Sequence, residues 1–221
     1  MDLIHQYIGE VREVLTLLPF QRISEVVDLL LSVNYVGGHV FTLGNGGSAA
    51  TASHFACDLA KGTIVPGRSR FRVIALTDAI PVMTAWSNDV DYADVFAEQL
   101  DNLIVRGDVV VAFSGSGNSP NVLRAVDLAR QVGGITVGFC GFAGGKLKDM
   151  VDIPVVVPCD CMEQIEDIHM VLCHLICTVL RDRLRRIEPP TSLALYADTP
   201  QRLRENVLVS MASTGLNRRR R

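Results

Sequence analysis

Apolar positions follow two rhythms along this chain. Over residues 2–34 they recur at helical spacing, and Pro19 divides the stretch, which predicts two helices. After that, short and almost unbroken apolar runs appear at 40–43, 73–76, 109–113, 135–139 and 153–157. Runs of this length, rich in Val, Ile and Phe, read as strands buried on both faces. Between them lie stretches of helical pattern at 48–61, 79–86, 93–106 and 121–132. Strand–helix alternation predicts a five-stranded parallel sheet with helices on both of its faces. A last helix is expected over 162–186, where RDRLRR places positive charge at the negative end of the helix dipole and Pro189-Pro190 stops it.

This pattern divides the chain into an N-terminal helical arm over 1–34, an α/β domain over 35–187 and a C-terminal extension over 188–221 without a strong period. Composition narrows the class further. With 48% hydrophobic residues in 221, there is material for one substantial core. The net charge of -3 gives no bulk attraction to nucleic acid or to a membrane surface. The basic run Arg218 to Arg221 reads as a solvated end. No stretch reaches the roughly 18–20 consecutive apolar residues of a membrane-spanning helix. The acidic residues of the N-terminus and its lack of a basic start do not suit a signal peptide, so a cytoplasmic location is expected. Six cysteines, none in a paired CxxC pattern and most in apolar runs, are expected as reduced, buried thiols.

Candidate chemistry sits where strands hand over to helices. Gly44-Asn45-Gly46-Gly47-Ser48 follows the first strand and opens a helix, a position where free N–H groups and the dipole favour an anion. A plain tight turn would have the same composition. Ser114-Gly115-Ser116-Gly117-Asn118-Ser119 follows the third strand and gathers three hydroxyls and several N–H groups, which suits a phosphate. Ser119 also reads as an N-cap ahead of Pro120, which would use one hydroxyl and leave Ser114 and Ser116 unexplained. Two such turns at the carboxyl ends of parallel strands are where open α/β sheets bind ligands. His54 and Asp58 stand i, i+4 on the first of these helices, as a metal-ligand or acid–base pair or as a surface ion pair. Glu166 and His174 lie two turns apart on the closing helix, roughly 12 Å along its axis at ~1.5 Å per residue. Glu166 with His169, at i, i+3, is a competing local pair.

GNGGS at 44–48, HFACDL at 54–59, SND at 87–89, SGSGNS at 114–119 and EDIHMVLCH at 166–174 together resemble the phosphoheptose isomerases, a branch of the SIS phosphosugar-binding domains. The resemblance runs from about residue 20 to 185. It implies a three-layer α/β sandwich, an aldose–ketose isomerase acting on sedoheptulose 7-phosphate, and a homotetramer with active sites at subunit boundaries. It implies that Ser114, Gly115, Ser116, Asn118 and Ser119 hold the phosphate, and that Asn45, Gly46, Gly47, Ser48, Asn88, Asp89 and Glu166 help seat the sugar. It further implies one zinc ion on His54, Asp58, Glu166 and His174, with Asp58 and His174 as the acid–base pair. Asp58 stands where the family has Glu, and Glu166 where it often has Gln; the family's basic residue beyond its Glu is unmatched, Lys61 lying one residue earlier. The alternatives are a non-catalytic adaptor or phosphosugar-binding module of the same fold and an isomerase of a different sugar phosphate.

Overall fold

The computed structural model describes residues 2–186; the expected C-terminal extension and its terminal arginines lie outside them. In chain order the elements are α1 (Leu3–Thr16), α2 (Phe20–Val36), β1 (His39–Gly44), α3 (Gly47–Cys57), β2 (Arg72–Ala75), α4 (Ile80–Asp89), α5 (Ala97–Asp101), β3 (Val109–Phe113), α6 (Pro120–Val132), β4 (Ile135–Cys140), α7 (Leu147–Met150), β5 (Ile153–Val156) and α8 (Met162–Arg186). All five strands pair in parallel, in the order β2-β1-β3-β4-β5.

Strand alternation sorts the side chains into two cores. Val109, Val111 and Phe113 join Val40, Val137 and Phe139 under α2, α3 and α8. Val110 and Ala112 join Phe41 and Leu43 on the opposite face, under α6 and the segment around Phe96 and Leu100. Residues one apart on a strand thus face different layers, and both layers are buried because each is covered by helices. In α2, Val26, Leu29 and Leu30 are almost wholly buried, and the helix packs on β5 and α8. Gly37, at φ 71°, ends it.

Burial on both faces does not extend to β2. It is an edge strand with Arg72 and Ile74 exposed, because helices cover that margin only in part. Three helical expectations also change. The stretch 48–61 is α-helical only to Cys57 and then widens into a π-helical turn over Asp58–Gly62. The helix expected over 79–86 continues to Asp89. The stretch 93–106 holds a helix only over Ala97–Asp101, preceded by a 3₁₀ turn at Tyr92–Asp94 that the Asp91 carboxylate caps through Ala93 N–H. Beyond it the buried Asp108 carboxylate accepts from Val105 N–H at 3.0 Å and from His39 N–H at 2.8 Å, which ends the helical course and ties the start of β3 to that of β1.

The cysteines depart in part from expectation. All six are free thiols, but only Cys140, Cys173 and Cys177 are buried; Cys57 is exposed and Cys159 and Cys161 are half-buried. Burial pushes the Cys140 thiol up to about 11 and that of Cys177 up to about 12. No helix among the described residues is long and apolar enough to cross a membrane.

Candidate active site

In this strand order β1 and β3 are neighbours whose following helices leave on opposite faces of the sheet: α3 packs with α8, and α6 lies on the other side. The turns beyond them therefore splay apart and open a crevice at the carboxyl ends of the strands. A cavity of about 260 Å³ occupies it, lined by the turn 45–48, the turn 113–116, Ser119, Met162 and Glu166. Both motifs identified in the sequence thus meet in one place.

The serine turn is built to present its hydroxyls. Gly117 is at φ 64°, and a side chain there would run into the Gly144 carbonyl, so the turn closes only with glycine. Asn118 braces the turn: its amide donates to the Ser116 carbonyl at 2.9 Å and its Oδ1 accepts from Lys146 N–H at 3.1 Å. Ser119 stands at the N-cap position of α6, yet its hydroxyl makes no capping bond. It lies 3.5 Å from the Ser114 hydroxyl instead, so the N-cap reading does not account for it. Facing this turn, α3 begins without a side-chain cap. Its first N–H groups and its dipole point at the same space.

Glu166 reaches the cavity from α8. Its carboxylate rests directly over Gly47, where any side chain would collide with it. Asn45 lines the cavity as well, while Asn88 and Asp89 sit exposed at the end of α4 and are not among the lining residues. Asn88 donates to Asp89 at 2.7 Å.

A second cluster forms farther down α3 and α8. His54 Nε2 and His174 Nε2 are 2.8 Å apart, and Asp58 Oδ2 lies 3.4 Å from the first and 3.7 Å from the second. The π-helical turn begins at Asp58; such widenings often mark functional positions. All three side chains keep access to solvent, Asp58 at 28% exposure. Of the four residues expected on one metal ion, the structure gathers these three and leaves Glu166 two turns away at the cavity. Three donor atoms within 4.8 Å of one another, two imidazoles and a carboxylate, are a zinc-type set with a fourth position open. The two imidazole nitrogens, 2.8 Å apart, share one proton in a hydrogen bond whose direction depends on the tautomer; in place of that proton the two nitrogens and the carboxylate fit zinc by ligand type.

His169 does not pair with Glu166. It turns inward and packs edge-on against Phe113 and Phe139, wholly buried. Neither ring nitrogen meets a partner in hydrogen-bond geometry, and burial holds its pKa down at about 4, opposed only in part by the Cys140 backbone. Sequence reasoning missed Met162 and Phe113 as lining residues, and Asn121 and Tyr92 as neighbours of Asn45. Met162 carries no motif signal, and Asn121 offered only its place one residue beyond Pro120.

A three-layer parallel sandwich with two glycine- and serine-rich turns at its switch point defines a class, and residues 6–141 match the family model of the SIS domain. The chain is 37% identical over 169 residues to a phosphoheptose isomerase of Trichlorobacter lovleyi, covering 73% of this chain and 82% of that protein. It is 39% identical to one from Geotalea uraniireducens, over 74% of this chain and 86% of the relative. Among solved structures, a phosphoheptose isomerase from Francisella tularensis superposes with a TM-score of 0.77 at 28% identity, covering 82% of this chain and 97% of its own. Another, from Neisseria gonorrhoeae, gives 0.70 at 30% identity, over 80% and 92% of the two chains. The chain belongs to the phosphoheptose isomerase family.

Proposed function

We propose that this chain is an aldose–ketose isomerase that interconverts sedoheptulose 7-phosphate and a heptose 7-phosphate. The observation that carries the reading is the pairing of an anion cup with a separate His–Asp–His cluster on the same two helices. From Gly47 to His54 along α3 is about 10 Å, and from Glu166 to His174 along α8 about 12 Å, at ~1.5 Å per residue. A phosphosugar anchored by its phosphate in the cup would extend along this track, with Glu166 at the hydroxyls nearest the phosphate and its carbonyl end at the cluster.

Ser114, Ser116 and Ser119, the N-terminus of α3 and Ser48 would bind the phosphate, and that remote binding would orient the reacting carbons. Asp58 and His174 would carry the proton between C1 and C2, with the second imidazole, His54, holding the Asp58 carboxylate in place. A zinc ion on His54, Asp58 and His174, when bound, would supply a Lewis acid for the charge that develops on the enediol oxygens. The exposed apolar residues of α1 and α2 support a homotetramer, and six unpaired thiols suit the reducing cytoplasm.

Incubation with C5, C6 and C7 ketose phosphates tests the reading, with aldose formation as the readout. Turnover should be greatest with sedoheptulose 7-phosphate. His174→Gln should reduce it by about 10²–10⁴-fold, the usual contribution of a positioned acid or base, without loss of phosphate binding. A zinc-loaded protein that turns over no member of the panel would sink the proposal.

A further inference from the structure

The β1–β3 ladder ends at the Gly44–Phe113 pair, so nothing in the sheet sets the gap between the two turns beyond it. One side-chain pair crosses that gap. Asn45 Nδ2 donates to Asn121 Oδ1 at 2.8 Å, and Asn121 Nδ2 donates back to Asn45 Oδ1 at 2.9 Å. One outside N–H fixes which way the amides face, and a hydroxyl follows it. Val122 N–H donates to Asn121 Oδ1 at 3.0 Å, and the Tyr92 hydroxyl donates to Asn45 Oδ1 at 3.0 Å. A flipped amide at either residue would set donor against donor.

This network limits what Asn45 can do. Its carbonyl oxygen already accepts two hydrogen bonds and one of its amide protons is used, so a single N–H in a fixed direction remains for a ligand. Asn121 is 2% exposed and is not part of the cavity wall, so it has no ligand contact of its own. Tyr92 is half-exposed and belongs to the 3₁₀ turn, which Arg124 anchors to α6 through Asp94 at 2.6 Å. The turn after β1, the start of α6 and the segment beyond α4 are thus joined at one amide.

We infer that Asn121 and Tyr92 are positioning residues that act through Asn45, holding the two anion-binding turns at phosphate-fitting separation and aiming its last N–H into the cup. This rests on the reading of the cavity as a phosphate cup. A cup assembled in advance binds without the cost of ordering two turns around the ligand.

The test is titration of the full chain with inorganic phosphate, by calorimetry, together with KM and kcat for sedoheptulose 7-phosphate. Asn121→Ala should weaken phosphate binding about fivefold or more, the equivalent of a lost hydrogen bond or two, and raise KM more than it lowers kcat. Tyr92→Phe, which removes one oxygen at a half-exposed site and leaves folding intact, should shift both in the same direction by less. In an Asn45→Ala background neither change should have any further effect, because both act through that amide. If Asn121→Ala lowers the melting temperature and leaves phosphate affinity and KM as in the wild type, its role is structural and the inference falls. Additive losses in the Asn45→Ala background overturn it equally. A wild-type chain that binds no phosphate overturns the cup itself, and the inference with it, an outcome distinct from either of these.

Discussion

His169 shows how much a single side chain can depend on its surroundings. It lies one helical turn from Glu166, yet it faces the aromatic core and stays neutral, with its pKa held at about 4 by burial. Since the folded value lies below the ordinary 6.5, the unfolded chain takes up a proton that the folded chain refuses as pH falls through that window. The penalty is absent above pH 6.5 and grows toward pH 4, reaching about 2 kcal/mol at pH 5 and about 3 kcal/mol in full. Urea unfolding at pH 7 and pH 5 should therefore show the wild type losing about 2 kcal/mol more than His169→Leu. Equal losses in the two proteins would mean that His169 is hydrated or paired. Glu166, on the same helix, faces the cavity instead, with its carboxylate over Gly47, where a side chain would make it move aside.

At the scale of elements, the site depends on where helices start and stop. α3 begins without a side-chain cap and keeps its first N–H groups free, whereas α6 opens on Pro120 with Val122 N–H taken by Asn121 Oδ1, so at that end it is the non-capping Ser119 hydroxyl that stays available. The widening at Asp58–Gly62 comes where α3 meets α8 and the His–Asp–His cluster forms. Asp108 does comparable work at the other end of the sheet, where its carboxylate joins the entries of β1 and β3. It is fully buried, and removing it would leave the His39 and Val105 N–H groups without their acceptor. Two hydrogen bonds to a charged group predict that Asp108→Ala costs about 3–5 kcal/mol in urea unfolding. Because this end of the sheet lies opposite the cavity, turnover by the protein that remains folded should be near that of the wild type.

Over the whole molecule, the apolar surface is unevenly distributed. Leu3, Ile4, Ile8, Leu17 and Phe20 on α1 and at the start of α2 are each at least 60% exposed. A groove of about 190 Å³ between α2 and α8 adds Val27, Leu175 and Val179. Exposed apolar residues of this kind suit burial against another chain. We expect four copies of the chain to assemble with these helices inside, and light scattering at micromolar concentration should report a tetramer. Replacing Phe20 and Leu175 by Glu should dissociate it, and a wild-type monomer at that concentration would refute the assembly.

Chain order and local chemistry were legible in the sequence because both are written in neighbouring residues. The five apolar runs became five parallel strands, and GNGGS and SGSGNS became the two turns of one cavity, since period, turn residues and strand–helix alternation are short-range properties. The sequence also paired His54 with Asp58, four residues apart on one helix. What it left open depended on residues far apart in the chain. The meeting of His54 with His174 is set by the packing of α3 on α8. The separation of Glu166 from that cluster follows from the rise of α8 that the spacing already gave, but that Glu166 ends at the cavity wall depends on where α8 packs. The inward turn of His169, the exposure of β2 and the bridge from Asn45 to Asn121 likewise follow from which surfaces the sheet order brings together, and sheet order is decided by the packing of all the layers at once.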